Sequence, residues 1–249
     1  METLTSRKSA VIRSFRALAG DAALREEKQR FVCDGQKLLE EALRSGLTPE
    51  TVLWKEKKGE GTPVFPCEYV LPAELFDYVS PMKNSPGPLF TLPLPIPPVQ
   101  HRVRKLLALE TVQDPGNVGT VLRTADALGI DLVILLDGCA DLYAPKTVRA
   151  AMGAVFRQPA ISMDRERFVS FCHAQGLPLY GAALSGRAQD IRDLALSHAA
   201  VVIGSEGQGL SRAMLDACDG ELIIPMPGKA ESLNAAVAAS VIMWEMQRG

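Results

Sequence analysis

Short apolar runs alternate with amphipathic segments through the second half of the chain. Strand-like apolar runs occur at 106–109, 132–136, 178–183, 201–203 and 221–224. Segments with helical spacing of apolar residues lie between them, at 117–128, 145–152, 165–174 and 211–217. A last helical pattern, rich in alanine, begins at Ser232, which we predict to be its N-cap. Strands that alternate with helices predict an α/β fold with a mostly parallel, doubly wound sheet.

The first third of the chain predicts a smaller α/β unit. Its strand patterns lie at 31–33, 51–54 and 64–70, and its helical patterns at 35–43 and 72–79. The proline-rich stretch 80–98 excludes a regular helix or a central strand, although 89–92 suits an edge strand. Its end, PLPIPP, is typical of a semi-rigid linker. We therefore expect one domain over 1–98 and a second over 99–249.

The first 30 residues combine a helical apolar pattern with seven basic residues against four acidic ones. The basic residues that we single out as candidate RNA contacts are Arg7, Lys8, Arg13 and Arg16. They fall largely opposite the apolar positions, as expected of a face that contacts a phosphate backbone. A solvated helix surface has the same pattern, so both interpretations stay open.

Composition and charge narrow the classes of function. A formal net charge of -2 and a pI of about 6.0 exclude a global polycation, so any nucleic-acid contact needs locally arranged basic groups. The five cysteines are scattered and form no Cys/His cluster, which indicates reduced thiols and no metal site. The chain has neither a secretory signal pattern nor an apolar run of roughly 18 residues. We expect a cytoplasmic protein without a membrane span.

Two polar, glycine-containing stretches follow predicted strands. In QDPGNVGTVLR, residues 113–123, Gly116 and Gly119 permit tight backbone at a helix start, whose N–H groups suit a phosphate. GSEGQGLS, residues 204–211, places three glycines around Glu206, but their spacing is not that of a dinucleotide site or a phosphate loop. A plain strand-to-helix turn with a solvated Glu206 explains this second stretch equally well.

The third stretch is the tail loop, IPMPGKAESLN, residues 224–234. Pro225 and Pro227 end the preceding strand because they lack a backbone N–H. The loop leaves backbone donors and acceptors free at a strand end, where open α/β sheets hold their ligands. It therefore suits either the recognition of a purine by the main chain or a surface turn before a terminal helix.

Taken together and in this order, the three stretches resemble the motifs of the SpoU family of RNA ribose 2'-O-methyltransferases, from Lys105 to the C-terminus. The resemblance implies an α/β methyltransferase domain whose C-terminal segment forms a deep trefoil knot. It also implies a homodimer with active sites near the subunit interface, for which the terminal helix with Trp244 offers a contact face. The first domain resembles the small ribosomal-protein-like domain that many members use to bind substrate.

The resemblance also assigns residues. It implies that S-adenosylmethionine is held mainly by backbone, around six positions: Ala182, Leu184, Gly204, Ile224, Met226 and Leu233. Arg123 matches the family's catalytic arginine. The other polar positions of the active site are matched by Asn117, Glu206, Ser232 and Asn234. One departure is Ala151, where relatives often have serine, which puts any role of that position in doubt.

The implied activity is methyl transfer to a ribose 2'-hydroxyl of structured RNA, and the extra N-terminal domain favours ribosomal RNA. Because a guanidinium stays charged in proteins, we expect Arg123 to stabilise the developing alkoxide and Glu206 to orient Arg123. His101, His173 and His198 lie outside every motif and are expected to be structural. The alternatives are a transfer-RNA ribose methyltransferase, a base methyltransferase, and a non-catalytic RNA-binding or ribosome-assembly factor.

Overall fold

The chain divides into two units, each with its own sheet. The computed structural model describes residues 1–95, 102–228 and 232–248. Unit 1 comprises Met1–Ile96 with Tyr143–Phe156, and unit 2 comprises Pro97–Leu142 with Arg157–Gly249. The segment 143–156, which we place in the second domain from the sequence, thus packs within unit 1. Most of the expected linker, and His101, lie outside the described residues.

Unit 1 is built on a five-stranded mixed sheet in the order β1-β4-β3-β5-β2. Its strands are β1 (Glu2–Thr3), β2 (Arg30–Asp34), β3 (Thr51–Lys55), β4 (Cys67–Leu71) and β5 (Leu89–Pro93). Its helices are α1 (Ala10–Gly20), α2 (Ala22–Lys28), α3 (Gln36–Arg44), α4 (Ala73–Val79) and α6 (Pro145–Ala151), with a 3-10 turn at Ala154–Phe156. Ala151 is buried in α6.

Strand β5 corrects one expectation. The proline-rich flanks predict an edge strand at 89–92, but β5 lies inside the sheet and pairs antiparallel with both β2 and β3. Its first four residues are buried, and Pro93 stands at the end of the strand, where a missing N–H interrupts the ladder least. The prolines therefore bound this strand and do not exclude it from the centre.

The N-terminal helical pattern is confirmed as two helices instead of one. Ile12, Phe15 and Leu18 of α1 are buried in the core of unit 1. The helix ends before Asp21, whose extended backbone starts α2 and whose carboxylate accepts a hydrogen bond from the Leu24 N–H. An aspartate at this position favours a new N-cap over continuation of the helix.

Unit 2 is built on a seven-stranded sheet in the order β10-β12-β9-β11-β6-β7-β8. Its strands are β6 (Lys105–Leu109), β7 (Leu132–Leu135), β8 (Ala160–Ser162), β9 (Leu179–Ala182), β10 (Gln189–Asp190), β11 (Ala199–Ile203) and β12 (Gly220–Ile223). Its helices are α5 (Pro115–Leu128), α7 (Arg165–Gln175), α8 (Arg212–Ala217) and α9 (Ala235–Glu245). Every neighbouring pair of strands is parallel, which confirms the expected α/β fold.

The helix ends of unit 2 follow the expected chemistry, with one correction. Gly129 and Gly176 end α5 and α7 in the left-handed conformation, where glycine carries no steric penalty. The last helix begins at Ala235, and its N-cap is Asn234, not Ser232. The Asn234 side chain accepts hydrogen bonds from the N–H groups of Ala236 and Val237, at 3.0 and 3.3 Å. Within the described ranges, no helix is long and apolar enough to cross a membrane.

Unit 1 contains a buried carboxylate at the end of β2. Asp34 is only 6% exposed and accepts hydrogen bonds from the hydroxyls of Ser80, at 2.7 Å, and Ser85. Burial raises the pKa of Asp34 above its ordinary value, and the two serine hydroxyls and the charges of Arg149 and Lys55 partly oppose this rise. The carboxylate thereby fastens β2 to the loop before β5.

We expect the stability of unit 1 relative to an Asp34→Asn variant to fall as the pH rises. Between the unfolded pKa of about 3.9 and the raised folded pKa, the folded state binds more protons than the unfolded state. The contribution of Asp34 to the free energy of unfolding is therefore largest in acid, and it declines as the pH rises through the folded pKa. Urea unfolding of both proteins from about pH 3.5 to about pH 7 measures it.

The Glu60→Gln variant, at an exposed position of the same unit, controls for the loss of a surface carboxylate. A difference between wild type and Asp34→Asn that stays constant across the pH range would contradict the prediction.

Candidate active site

Parallel register brings the ends of four neighbouring strands of unit 2 to one edge. Ile203, the last residue of β11, pairs with Leu109 of β6 on one side and with Ala182 of β9 on the other. Leu222 of β12 pairs with Ala182 in turn. The polar stretches 113–123, 204–211 and 224–234, together with the loop after β9, therefore start from the same edge, as the sequence predicts.

A pocket of about 430 Å³ lies at this edge. Its volume falls within the range of small-molecule sites. Its walls are largely apolar and come from the loops after β9, β11 and β12 and from α9. All six residues predicted to hold a cofactor line it, namely Ala182, Leu184, Gly204, Ile224, Met226 and Leu233. Glu206 and Ser232 of the predicted catalytic set line it as well.

Gly204 permits the tight path of the chain at the floor of this pocket. A Cβ atom there would lie 2.1 Å from both the carbonyl carbon and oxygen of Gly209. The loop folds back on itself through a bridge between Ser205 and Gly209, whose N–H donates to the Ser205 carbonyl at 2.9 Å. Only glycine fits position 204, whereas a Cβ at Gly207, in the same loop, meets nothing within 4 Å.

Three of the predicted polar residues form one hydrogen-bonded cluster, Asn117, Glu206 and Asn234. The carboxylate oxygen Oε1 of Glu206 accepts a hydrogen bond from Asn117 Nδ2 at 3.0 Å and another from Asn234 Nδ2. Asn234 Nδ2 also donates to Asn117 Oδ1 at 3.1 Å, and the Ala235 N–H donates to Glu206 Oε1 at 3.1 Å. One residue from each of the three stretches thus meets at a single carboxylate oxygen.

The position of Glu206 has an electrostatic rationale. Its carboxylate accepts a hydrogen bond from the Ala235 N–H at the start of α9, where the helix dipole favours a negative charge. Charge-assisted hydrogen bonds to a carboxylate are roughly twice as strong as neutral ones. Glu206 is exposed, as in a plain turn, but its carboxylate is also hydrogen-bonded to side chains from the other two stretches.

Arg123 forms no hydrogen bond with the members of this cluster. It projects from α5 with an exposed side chain, and among residues 1–95, 102–228 and 232–248 it forms no hydrogen bond or ion pair. The expected orientation of Arg123 by Glu206 is therefore not seen, because Glu206 is engaged by the two asparagines and the start of α9. Ser232 is exposed at the pocket and does not cap the helix.

Two residues near the site escaped the sequence interpretation. Glu221, assigned there only to a strand, accepts hydrogen bonds from the Ser185 hydroxyl and from Arg187 Nη2 at 2.6 Å, which fastens the loop after β9 beside the pocket. Glu110, at the end of β6, bonds the start of α8. Neither had a local signal, because each partner lies more than thirty positions away in the chain.

The thiols of unit 2 show no sign of a reactive site. Burial raises the pKa of Cys172 and of Cys218 to about 12, with smaller contributions from neighbouring acidic groups. Burial also raises the pKa of Cys139. A thiol must ionise to act as a nucleophile or as a metal ligand. In the part of the chain that the structure describes, no group of three His, Cys, Asp or Glu side chains is placed to hold a metal ion.

The predicted RNA contacts, Arg7, Lys8, Arg13 and Arg16, are all exposed on unit 1. The guanidinium carbons of Arg7 and Arg16 lie 4.3 and 4.1 Å from the ring centroid of Tyr78. Cation–π contacts of this kind are worth about 1 kcal/mol at exposed sites. None of the four forms an ion pair with another described residue, so the patch keeps its positive charge for an external anion.

A parallel α/β sheet with an apolar pocket and a polar cluster at its carboxyl edge defines a protein that binds a small ligand there. The particular class follows from comparison with known sequences. The chain belongs to the SpoU rRNA Methylase family, whose sequence profile matches residues 104–244. The expected family is therefore confirmed.

Individual relatives extend the similarity to the whole chain. The 23S rRNA (guanosine(2553)-2'-O)-methyltransferase RlmP of Bacillus subtilis (strain 168) is 33% identical, over 99% of this chain and 100% of its own. The solved structure of a putative RNA methyltransferase of the TrmH family from Porphyromonas gingivalis has a TM-score of 0.82 and 32% identity, over 98% of this chain and 99% of its own.

A third relative was solved with a cofactor. The SpoU methyltransferase AviRb from Streptomyces viridochromogenes, in complex with the cofactor AdoMet, has a TM-score of 0.84 and 27% identity, over 97% of this chain and 98% of its own.

We expect Gly204→Ala to destabilise the protein by about 3 kcal/mol or more, because the added methyl group overlaps backbone that cannot move independently. The melting temperature should fall by roughly 6 °C or more. Gly207→Ala is the matched control in the same loop and should melt within about 2 °C of wild type. Thermal unfolding followed by circular dichroism measures both, and equal melting temperatures for the two variants would contradict the prediction.

Proposed function

We propose that this protein transfers a methyl group from S-adenosylmethionine to a ribose 2'-hydroxyl of structured RNA, and that the RNA is ribosomal. The observation that carries this proposal is the convergence of the Asn117–Glu206–Asn234 cluster on a pocket lined by all six expected cofactor residues. Two similarities support it: the relative from B. subtilis is named a 23S rRNA 2'-O-methyltransferase, and the relative from S. viridochromogenes binds AdoMet.

The pocket fits S-adenosylmethionine in size and chemistry. Leu222, Ile224 and Leu233 offer apolar surface for a purine ring and a thioether chain. Backbone groups beside Gly204 come close to the pocket because a side chain there is excluded. When bound, the cofactor supplies an electrophilic methyl group on a cationic sulfonium. The residues that would hold it are the six that line the pocket and were expected from the sequence.

Arg123 is the residue that we assign to the ribose. Its guanidinium remains protonated, so it acts by stabilising negative charge on the 2'-oxygen and by binding the adjacent phosphate. Arg123 is exposed and has no hydrogen-bond or ion-pair partner among the described residues, so its donors are available for RNA. Asn117 lies six residues earlier on α5, about one and two-thirds turns away; it is held by Glu206 and is placed to contact ribose or phosphate.

The expected trefoil knot belongs to the same proposal. Strand β12 is the last of the sheet in sequence, yet it lies between β9 and β10. The chain then returns across the pocket, and α9 packs against α5, with the Gln247 side chain donating to the Leu128 carbonyl. A last strand that inserts between two earlier strands, followed by a chain end that packs against another loop or helix, is the arrangement that a knot needs.

We propose that the protein is a cytoplasmic homodimer in which α9 forms the subunit contact. Val237, Val241 and Trp244 are 49%, 38% and 61% exposed and recur at helical spacing, so they form one apolar stripe along α9. Burying such a stripe against a second copy is favourable. No metal ion is part of the proposed reaction, because charge stabilisation is assigned to Arg123.

Residues 1–98 form the RNA-binding domain in this proposal, and residues 99–249 form the methyltransferase domain. The support is the exposed basic patch of Arg7, Lys8, Arg13 and Arg16 in unit 1, which forms no ion pair within the part of the chain that the structure describes. Stacking on Tyr78 limits the rotamers of two of these arginines, which lowers the entropy lost when they bind phosphate. The patch thus supplies the local charge that the net charge of -2 lacks.

The reaction is tested by incubating ribosomal and transfer RNA with the protein and methyl-labelled cofactor, followed by alkaline hydrolysis. A methylated 2'-hydroxyl cannot attack the neighbouring phosphate, so labelled dinucleotides should survive in ribosomal RNA. Label released as mononucleotides would indicate base methylation, and label in transfer RNA alone would overturn the choice of substrate. Binding without any transfer would indicate an assembly factor and overturn the proposed activity.

In this assay, Arg123→Lys should lower kcat by about 100-fold or more, because lysine cannot reproduce the bidentate fork toward the alkoxide and the phosphate. The cofactor Kd, measured by calorimetry, should stay within about twofold, since Arg123 does not line the pocket. Arg167→Lys, on the exposed face of α7, is the matched control and should behave as wild type. Near-full turnover of Arg123→Lys would contradict the assigned role.

Replacing Arg7, Lys8, Arg13 and Arg16 together with glutamine should weaken RNA binding by at least about tenfold and reduce its salt dependence, because phosphate contacts release counterions. Cofactor affinity should not change. A quadruple control at Arg44, Arg165, Arg167 and Arg212 removes the same charge from cations that already have carboxylate partners. Filter binding at several salt concentrations measures both, and equal losses in the two variants would contradict a specific patch.

A further inference from the structure

A buried carboxylate lies beneath the polar cluster. Glu110 follows β6 directly and is 7% exposed. Its backbone N–H donates to the Ile203 carbonyl at 2.9 Å, which extends the ladder between β6 and β11 by one step. A buried charge is costly unless its oxygens are hydrogen-bonded, so the partners of Glu110 indicate what it does.

Both carboxylate oxygens of Glu110 are used by one residue. Oε2 accepts from the Ser211 N–H at 2.7 Å, and Oε1 accepts from the Ser211 hydroxyl at 2.7 Å. The same hydroxyl accepts from the Met214 N–H at 3.1 Å as the N-cap of α8. Ser211 is therefore held in both position and rotamer, with its hydroxyl proton directed at Glu110.

The Glu110–Ser211 pair is a second link between the two chain segments that carry Asn117 and Glu206. Glu110 begins the segment that leads to Asn117, and Ser211 ends the loop that carries Glu206. The two segments are joined by two hydrogen-bonded pairs. One pair is Glu110 with Ser211, and the other is Asn117 with Glu206, whose Nδ2 and Oε1 atoms lie 3.0 Å apart. Glu206 and Ser211 lie only five positions apart in the chain, which is short enough for a shift at one to move the other.

We propose that Glu110 is a positioning residue of the methyl-transfer site, which acts by holding the loop 204–211 so that Glu206 meets Asn117 and Asn234. The inference rests on the proposed function, since it assigns Glu110 to that site. Glu110 does not line the pocket and needs no contact with cofactor or RNA. Its effect passes through Ser211 and the loop backbone.

Glutamine is the informative replacement because it keeps the size of the side chain. Its amide has one acceptor oxygen and an NH2 group that donates. Either the Ser211 N–H or the Ser211 hydroxyl would then face a donor and lose its acceptor. Hydrogen bonds to a charged acceptor contribute more to stability than neutral ones, so losing one of them should loosen the end of the loop.

The matched control lies at the other end of the same strand. Asp131 accepts hydrogen bonds from the N–H groups of Arg104 and Lys105, at 2.8 and 2.9 Å. Asp131→Ala removes carboxylate support from the start of β6 without touching the loop 204–211. It therefore reports what a general loss of sheet stability does to the site.

The experiment compares Glu110→Gln and Asp131→Ala by amide hydrogen exchange without cofactor and by calorimetric titration with S-adenosylmethionine. Glu110→Gln should speed exchange across 204–211 and raise the cofactor Kd, each by about tenfold, from the lost acceptor. Asp131→Ala should lower the melting temperature and leave both quantities within about twofold of wild type.

A double variant with Glu206→Gln tests the path of the effect. If Glu110 acts through Glu206, Glu110→Gln should add little to the cofactor Kd once Glu206 is replaced. Three outcomes would overturn the inference while leaving the proposed function intact. They are unchanged exchange and Kd in Glu110→Gln, effects in Asp131→Ala as large as those in Glu110→Gln, and additive effects in the double variant. Wild-type protein that binds no donor would overturn the proposed function, and the inference with it.

Discussion

One oxygen of Glu206 holds the carboxyl edge of unit 2 together. It receives Asn117 from the start of α5, Asn234 from the tail loop and the first free N–H of α9. Three segments that are far apart in sequence therefore have a common acceptor, and the pocket walls built from two of them depend on it. Because this carboxylate lies at a helix start, the dipole of α9 and the hydrogen bonds both favour its position there.

The sequence predicted those features of the fold that depend on local chemistry. Gly129 and Gly176 end helices in the left-handed conformation, as the preference for glycine at helix ends implies. Periodicity could not find β10, because Gln189–Asp190 is short and polar and forms a strand only by pairing with β12. The central position of β5 was equally hidden, since it depends on partners from elsewhere in unit 1.

The residues that line the pocket were easier to predict from the sequence than the hydrogen-bond partners within the polar cluster. The family resemblance implied pocket residues such as Gly204 and Ile224. The structure explains why they meet, because parallel pairing aligns the strands that precede them at one edge. The hydrogen-bond partners within the polar cluster could not be predicted from the sequence. Asn234 is the helix cap where Ser232 was expected, and both satisfy the same local rule for capping residues. Only the position of Glu206 in three dimensions decides between them.

The place of β12 in the sheet determines the order in which unit 2 can be completed. Strands β9 and β10 leave the ribosome before the strand that separates them, so the gap between them stays open until β12 has been made. At roughly 5–20 residues per second, the thirty or so residues between β10 and β12 take a few seconds to synthesise. During that interval the nascent chain exposes two unpaired strand edges, which are sites of mispairing. The topology thus leaves these two edges without their final partner until the last strand of the sheet has been made.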